Sequence, residues 1–305
     1  MRVFVAGATG AIGRPLVRQL LEAGHEVTGT TRSEERAQEL RSRGAEAVVL
    51  DALDGEATRR AVAAARPNVV VNQLTDLPKR FNPRGAVGRT GELRETAGRN
   101  LVEAAGDARL IAQSISFVYV PKGDRVKDES APVFDPDALG GVFGKQLRGT
   151  LEMERQVAGA GGLVLRYGFF YGPGTWYAQG TSLAKQFRMR LFPVVGDGGG
   201  VFSFVHVEDA ASATVAAVER GPAGIYNVVD DEPAPAREWM PVFAEAVGGK
   251  PPLRVPVWLA RPVAGKNNTM MVTTMRGASN EKAKRELGWQ PRYASWRQGF
   301  REGLA

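Results

Sequence analysis

The sequence contains no cysteine and only two histidines among its 305 residues. Disulfide frameworks and thiol nucleophiles are therefore excluded, and so is a zinc site built from cysteine and histidine. Because no side chain of this chain is itself suited to carry a hydride, any redox chemistry needs a cofactor that the protein binds.

Long apolar runs are also missing. An apolar stretch such as 161–170 is interrupted by Arg166 and Gly168, and it falls short of the roughly 18 residues that a membrane-spanning helix needs. The first residues of the chain lack both the apolar core and the cleavage site of a signal peptide. We therefore expect a cytoplasmic protein without a membrane partner.

A basic stripe with interleaved aromatic residues, which is typical of a nucleic-acid interface, does not occur either. Lysine and arginine outnumber aspartate and glutamate by 40 to 33, for a formal net charge of +7, but they are scattered along the chain. We expect no nucleic-acid partner. A small-molecule substrate is expected instead, and a homodimer is left open.

Short β-branched runs alternate with helical patterns through the first half of the chain. Apolar residues at Ile12, Leu16, Val17, Leu20 and Leu21 fall on one face of a helix. Apolar strands separated by helical crossovers form a parallel sheet with helices on both faces. The sequence thus predicts an α/β fold, a doubly wound parallel sheet, with strands at 3–6, 26–30, 47–50, 69–74, 110–114 and 163–167.

A glycine-rich loop lies between the first strand and the first helix. Gly7 allows a tight turn, Gly10 lets the backbone approach a pyrophosphate, and Gly13 lets the helix pack on the strand. The start of the helix then presents free amide donors and a positive dipole end. We predict a dinucleotide site here rather than a purely structural turn, with binding residues Gly7, Thr9, Gly10, Ala11, Ile12 and Gly13.

The end of the second strand indicates which dinucleotide is bound. An NAD site usually holds an acidic residue about 20 residues beyond the loop, whereas a 2′-phosphate requires cations. Here Arg32 follows Thr31, and Ser33 adds a hydroxyl. NADP is favoured over NAD, with Arg32 and Ser33 as binding residues. The alternatives are a solvated surface arginine and a plain helix N-cap.

Asp51 and Ala52 follow the third predicted strand. In a doubly wound fold this position lies beside the adenine, so both are candidate cofactor contacts. The alternative for Asp51 is a helix N-cap or a turn residue.

The second half of the chain is less regular and indicates a smaller C-terminal domain. Proline and glycine are frequent at 172–174, 193–200 and 250–256. The segment that begins at Phe202 looks like a return to the main sheet and its helix layer. We predict a dinucleotide-binding domain of residues 1–167, to which 202–228 return, and a substrate-binding domain of residues 168–201 and 229–305.

The glycine loop and four later motifs together resemble the extended short-chain dehydrogenase/reductase family, a group of NAD(P)-dependent epimerases, dehydratases and reductases. The resemblance extends along essentially the whole chain. The resemblance implies a Rossmann domain with a small C-terminal substrate domain. It also implies that Gln73, Leu74 and Thr75 contact the cofactor, together with Tyr167 and Phe169. Besides the glycine loop it depends on four motifs, at 165–174, 204–209, 226–228 and 284–291.

The catalytic pattern of that family is broken in this chain. The family uses a tyrosine four residues before a lysine, because the ammonium lowers the pKa of the phenol so that it exchanges a proton near neutral pH. No tyrosine occurs between Val120 and Arg166. If Lys145 is the family lysine, the tyrosine position is Gly141; if Phe143 and Gly144 match the family's Tyr-Gly pair, the lysine position is Leu147. Neither alignment restores the pair. Lys145 is a candidate either for the ribose hydroxyls or for a surface cation.

The resemblance places the family's serine or threonine at Ile115, between Ser114 and Ser116. Successive strand residues face opposite ways, so only one of the two serines is expected to face the nicotinamide. Tyr119 and Tyr167 are candidate replacement acids, although each is also typical of a packed aromatic residue with its hydroxyl bonded. The catalytic candidates are thus Ser114, Ser116, Tyr119, Lys145 and Tyr167.

The leading hypothesis is an NADP(H)-dependent oxidoreductase with a non-standard proton donor. Its small or medium organic substrate is expected under residues 75–88, 116–140 and 170–200. Two alternatives keep the scaffold without hydride transfer: a non-redox enzyme such as a cyclase or isomerase, and an NADP-sensing regulatory or scaffold protein.

Overall fold

The computed structural model describes residues 1–78, 80–81 and 89–305. Part of one segment expected over the substrate, residue 79 and residues 82–88, therefore lies outside the described residues. The strands are β1 Arg2–Ala6, β2 Glu26–Thr31, β3 Glu46–Val49, β4 Val69–Asn72, β5 Arg109–Ile115, β6 Val126–Lys127, β7 Leu163–Tyr167, β8 Phe169–Tyr171, β9 Val194–Val195, β10 Val201–Phe202, β11 Phe204–His206, β12 Gly224–Val228, β13 Ala234–Pro235, β14 Arg254–Val255 and β15 Gly277–Ala278.

The helices vary from one turn to five turns, and none of those described is long and apolar enough to cross a membrane. A π-helical turn, Leu93–Ala97, joins α4 to α5. The helices are α1 Gly13–Glu22, α2 Glu34–Ser42, α3 Gly55–Ala65, α4 Thr90–Glu92, α5 Gly98–Ala105, α6 Pro136–Leu139, α7 Gly141–Gly159, α8 Ser182–Arg188, α9 Val207–Glu219, α10 Ala236–Ala246, α11 Val257–Ala264, α12 Lys266–Thr274, α13 Glu281–Leu287 and α14 Trp296–Glu302.

Seven parallel strands form the main sheet, in the order β12-β7-β5-β4-β1-β2-β3. Every residue of β4 and β7 is buried, as expected of strands covered on both faces. The predicted doubly wound α/β fold is confirmed. The strand order reverses at β1, so the carboxyl ends of β1 and β4 border the crevice where such sheets bind ligands.

Each face of the sheet has its own apolar core. Leu16 and Leu20 of α1 are fully buried and pack with α9 on one face, which confirms the predicted first helix. Burying one such leucine contributes about 1.5–3 kcal/mol. On the other face α3, α5 and α7 cover Val70 and Val164. The site at the carboxyl edge is thus built on a sheet fixed from both sides.

The segment that begins at Phe202 differs from its prediction. Strand β11 pairs with β8 outside the main sheet, and β12 occupies the sheet edge beside β7. The two segments meet closely: the Phe169 N–H donates to the Ser203 carbonyl at 2.8 Å, and a Cβ added at Gly168 would lie 2.6 Å from that oxygen. The chain leaves the sheet there, and β11 follows it. Helix α9 and β12 do return, to the helix layer and the sheet.

A second, aromatic core lies beside the main sheet. It gathers fully buried rings from the C-terminal half, among them Tyr171, Phe204, Trp239, Phe243 and Phe300. Phe204 belongs to this core although the proposed domain boundaries assign it to the first domain. Those boundaries stay a prediction.

Candidate functional site

The glycine loop is closed by two tight approaches. Gly7 has φ +89°, and an added Cβ would lie 2.8 Å from the Gln73 carbonyl oxygen. At Gly13 an added Cβ would lie 2.2 Å from the Gly7 carbonyl oxygen. Gly10 differs: its only near neighbour is that same oxygen at 3.4 Å, and the residue is exposed. The open side of Gly10 is therefore where a ligand can approach the backbone.

The amides of the loop form a donor cradle. In the part of the chain that the structure describes, the N–H groups of Ala11, Ile12 and Gly13 have no hydrogen-bond partner. Helix α1 has no side-chain cap and no acidic residue in its first turn. Free amides at the positive end of a helix dipole suit a pyrophosphate, so the residues present fit a dinucleotide cofactor.

The end of β2 braces this loop and presents one arginine. The Thr9 and Thr31 hydroxyls lie 3.4 Å apart, and the Thr31 hydroxyl also accepts the Ser33 N–H at 3.4 Å. The Arg32 side chain is 67% exposed, with Nη2 4.0 Å from Oδ1 of Asp76. Ser33 occupies the N-cap position of α2 but makes no cap hydrogen bond, so its hydroxyl is not committed to the helix.

An apolar cluster and a carboxylate lie at the end of β3. Ala52 packs with Leu74 and Leu93. Asp51 is exposed, and its Oδ1 accepts the Leu53 N–H at 3.1 Å, which is a turn contact. This is the arrangement expected for an adenine: an apolar surface for the ring beside a polar group.

At the end of β4, Gln73 joins the cofactor crevice to the core. Its Nε2 donates to the Tyr167 hydroxyl at 3.3 Å, and among the described residues its buried Oε1 has no partner. The Tyr167 and Thr214 hydroxyls lie 2.6 Å apart. Burial raises the pKa of Tyr167 to about 12. The Tyr167 phenol is fully buried, and its hydroxyl is already hydrogen-bonded on two sides. Leu74 and Thr75, half-buried, follow Gln73.

Ser114 and Tyr119 belong to one buried network on the other face of the sheet. The Ser114 hydroxyl donates to Glu154, which also accepts from Nε and Nη2 of Arg166 at 2.9 and 2.6 Å. The Tyr119 hydroxyl donates to Oδ1 of Asn227 at 2.6 Å and accepts from Arg166 at 3.1 Å. Burial raises the pKa of Tyr119. Each hydroxyl therefore hydrogen-bonds to one member of the buried ion pair between Glu154 and Arg166.

Ser116 and Lys145 are the two catalytic candidates with uncommitted side chains. The Ser116 backbone N–H donates to the Tyr167 carbonyl at 2.8 Å, whereas its hydroxyl has no partner among the described residues. Leu147 of α7 packs with Val118 and Ile115, so the start of α7 lies at the same edge as Ser116. Lys145 is exposed there. The catalytic roles of all five candidates stay predictions.

Aromatic rings, most of them partly exposed, line the same edge. Phe117 stacks on Phe169 with centroids 4.5 Å apart, and Phe169 contacts Phe202 at 5.0 Å. Phe81 contacts the Trp176 ring edge to face at 5.2 Å. We call Phe81, Phe117, Phe169, Trp176 and Phe202 the aromatic wall. Phe169, expected at the cofactor, contacts two other rings of this wall, Phe117 and Phe202.

Sequence reasoning missed two parts of this site. Glu154 had a signal, because an arginine inside the apolar strand β7 requires a buried counter-ion. The aromatic wall had no such signal in the sequence, because its rings come from segments far apart in the chain.

Comparison with known proteins agrees with this geometry. A sequence profile described as the NAD dependent epimerase/dehydratase family matches residues 3–228. A Streptomyces protein named 3-diazoavenalumate denitrifying reductase is 47% identical over 98% of this chain and 99% of its own. Two solved structures share the fold. UDP-glucose 4-epimerase of Thermus thermophilus, in complex with NAD, has a TM-score of 0.70 at 26% identity over 100% of this chain and 98% of its own. Human epimerase family protein SDR39U1, with NADPH, has a TM-score of 0.73 at 21% identity over 100% and 99%.

Proposed function

The chain belongs to the NAD-dependent epimerase/dehydratase family and is an NAD(P)-dependent oxidoreductase, and from this premise we propose that it uses NADPH to remove a diazo group from an aromatic carboxylic acid. The family resemblance that the motifs predicted is thereby confirmed. When bound, the reduced nicotinamide supplies a hydride. The carbon–nitrogen bond of the diazonium breaks with its electron pair leaving on dinitrogen, and the hydride pair forms the new carbon–hydrogen bond.

The observation that carries this proposal is the lack of a phenol on α7 in a chain so similar to a diazo-compound reductase. Reduction of a carbonyl makes an alkoxide, which needs a proton donor. Replacement of a diazonium group by hydride consumes no proton, because the hydride cancels the positive charge of the diazonium and dinitrogen leaves as a neutral molecule. A helix α7 without tyrosine, together with hydroxyls of Ser114, Tyr119 and Tyr167 that are already hydrogen-bonded, suits this second reaction.

The aromatic wall supports a flat, conjugated substrate. The Phe117 and Phe169 rings are stacked with an interplanar angle of 16°, and both remain partly exposed beside Ser116. Aromatic rings prefer offset-stacked or edge-to-face neighbours, which a planar aryl substrate provides and a sugar does not.

The preference for NADPH over NADH is supported by the end of β2. No carboxylate follows this strand in sequence at Thr31, Arg32 or Ser33. The contact of Arg32 with Asp76 is long and exposed, and pairs of that kind contribute little to stability. A 2′-phosphate, which accepts two hydrogen bonds from one guanidinium, competes well against it.

The experiment uses 3-diazo-4-hydroxycinnamate and NADPH deuterated at nicotinamide C4. We expect NADPH oxidation, release of dinitrogen, and deuterium on the ring carbon that carried nitrogen. The same reaction with unlabelled NADPH in heavy water should leave that carbon free of deuterium. Deuterium from the solvent alone, or no product with the wild-type enzyme, would contradict the proposal.

A second candidate, reduction of an aromatic ketone, is favoured by the uncommitted Ser116 hydroxyl. In that reaction the serine polarises the carbonyl, and the proton comes from Ser116, Lys145 or water. A panel of aryl ketones assayed with wild type and Ser116→Ala distinguishes the two: ketone turnover that falls at least a hundredfold in the variant supports carbonyl reduction.

A further inference from the structure

Arg276 is a partly buried arginine without an anionic partner. Its Nη1 and Nη2 contact only the carbonyl oxygens of Thr274 and Pro121, at 3.4 and 3.2 Å. Its Nε is buried and has no hydrogen-bond partner among the described residues. None of the carboxylates described forms an ion pair with it. A guanidinium held this way has lost part of its hydration and has gained no opposite charge, which is costly unless a ligand supplies the charge.

The backbone places Arg276 beside the aromatic wall. Met275, the preceding residue, accepts the Val201 N–H at 2.8 Å, and Val201 adjoins Phe202 of the wall. On the other side the Arg276 guanidinium contacts Pro121, four residues after Phe117. Arg276 is thus linked through Val201 and Pro121 to the two chain segments that carry Phe202 and Phe117.

A second arginine without an ion-pair partner among the described residues, Arg125, lies near Arg276. The Gly277 N–H donates to the Arg125 carbonyl at 2.9 Å. Arg125 therefore lies beside Gly277, the residue that follows Arg276. The Arg125 guanidinium donates to the Gly199 carbonyl at 2.9 Å and, in the described part of the chain, has no carboxylate partner either. Two arginines that contact backbone carbonyls but form no ion pair with a described carboxylate therefore lie close together in this part of the fold.

We propose that Arg276 binds the carboxylate of the aromatic acid that this enzyme reduces, while the aromatic wall holds the ring. This inference rests on the proposed function, which supplies the aromatic acid. Guanidinium binds carboxylate through two parallel hydrogen bonds, which fixes direction as well as charge. Anchoring the acid end at Arg276 leaves the opposite end of the molecule directed along the wall toward Ser116.

Binding of unreactive ligands tests the anchor without any turnover. The probes are 4-hydroxycinnamate and its methyl ester, titrated by calorimetry into the NADP⁺-loaded protein. Wild type should bind the acid at least tenfold more tightly than the ester. Arg276→Gln should reduce that ratio to within twofold by weakening acid binding alone, and Arg276→Lys should give an intermediate ratio.

Arg2→Gln is the matched control. The Arg2 guanidinium also donates to a backbone carbonyl, that of Arg66 at 2.6 Å, but β1 begins at Arg2, at the edge of the sheet opposite the site. This variant should keep the wild-type acid-to-ester ratio. Thermal melting checks that each variant is folded.

Equal affinities of wild type for acid and ester would overturn the anchor, and so would an unchanged ratio in folded Arg276→Gln and Arg276→Lys. The proposed function fails separately, if the diazo acid is not reduced. An Arg276-dependent preference for the acid would then still assign a carboxylate site.

Discussion

Arg32 at the end of β2 faces Asp76, two residues beyond Leu74 in the segment after β4, with Nη2 and Oδ1 4.0 Å apart. The two strands flank β1, which carries the glycine loop, so this contact spans the crevice where the adenosine end of a dinucleotide is expected. Asp76 is also fixed from the other side, because its backbone N–H donates to the Thr90 hydroxyl at 3.0 Å. A 2′-phosphate bound here would therefore compete with the Asp76 carboxylate for the exposed Arg32 guanidinium.

The first prediction concerns this pair. Arg32→Asp should weaken NADPH binding by about 10- to 100-fold, since hydrogen bonds to charged groups contribute about 1.5–3 kcal/mol each. NADH binding should change less than threefold or improve, which reverses the preference. Fluorescence titration measures both dissociation constants. Arg43→Asp, at the other end of α2, makes the same charge change and should leave both nearly unaltered; equal losses in the two variants would remove Arg32 from the site.

A second prediction separates binding from folding in the glycine loop. Gly10→Val should lower NADPH affinity at least tenfold while the protein stays folded, because the added Cβ lies at an ordinary 3.4 Å from its nearest neighbour and projects to the open side. Gly13→Val should also unfold at lower temperature, because its Cβ would lie 2.2 Å from a carbonyl oxygen. Thermal melts with and without NADPH measure both effects. Ligand at 100 times its dissociation constant stabilises wild type by about 2.7 kcal/mol. The same shift in Gly10→Val would show that the loop is structural.

The main sheet could be predicted because its signals are local. Strand β7 begins and ends where the apolar run 163–167 does, and the face of α1 follows from its 3.6-residue spacing. Other features depend on contacts between distant residues. The pairing of β11 with β8 is decided by how closely Gly168 approaches Ser203, and no spacing within either segment specifies that approach.

In the candidate site, too, local sequence signals predicted some residues, whereas others depend on contacts with distant parts of the chain. The loop residues from Gly7 to Gly13 could be identified because each glycine has a stated steric reason. The choice among the hydroxyls could not, because it depends on partners elsewhere in the chain. Ser114 meets Glu154, 40 residues later, and Tyr119 meets Asn227, 108 residues later.

A third prediction concerns the pH dependence of stability. Asp230 is 1% exposed, and in the described part of the chain its Oδ2 has no partner. Burial raises the pKa of Asp230 well above its usual value. The unfolded carboxyl ionises near pH 4, so wild-type stability contributed by this group is present below that pH and falls as pH rises toward the folded pKa.

Asp230→Asn does not titrate and should therefore melt at a higher temperature than wild type at pH 8, with the difference shrinking toward pH 4. The gain is the free energy that wild type spends on keeping this carboxyl protonated in the folded chain at a pH where the unfolded chain ionises it. Asp209→Asn is the control: Asp209 accepts the N–H groups of Arg292 and Tyr293 at 2.8 and 2.9 Å, so this change should destabilise. A lower melting temperature for Asp230→Asn at every pH would refute the expectation.

The last prediction concerns the source of the proton, which the proposed reaction does not need. General acid catalysis is typically worth about 10²- to 10⁴-fold in rate. If hydride replaces a diazo group, then Ser116→Ala, Tyr119→Phe, Lys145→Met and Tyr167→Phe should each change turnover of the diazo acid less than about threefold. Ser114→Ala should act on stability instead, because it removes a hydrogen bond from buried Glu154. Melting temperature should fall while turnover of the folded protein is kept.

Steady-state rates in water and heavy water complete the measurement: a solvent isotope effect near one is expected for wild type. A hundredfold loss in any one of the four variants, together with a solvent isotope effect above about two, would identify a proton donor and favour reduction of a carbonyl.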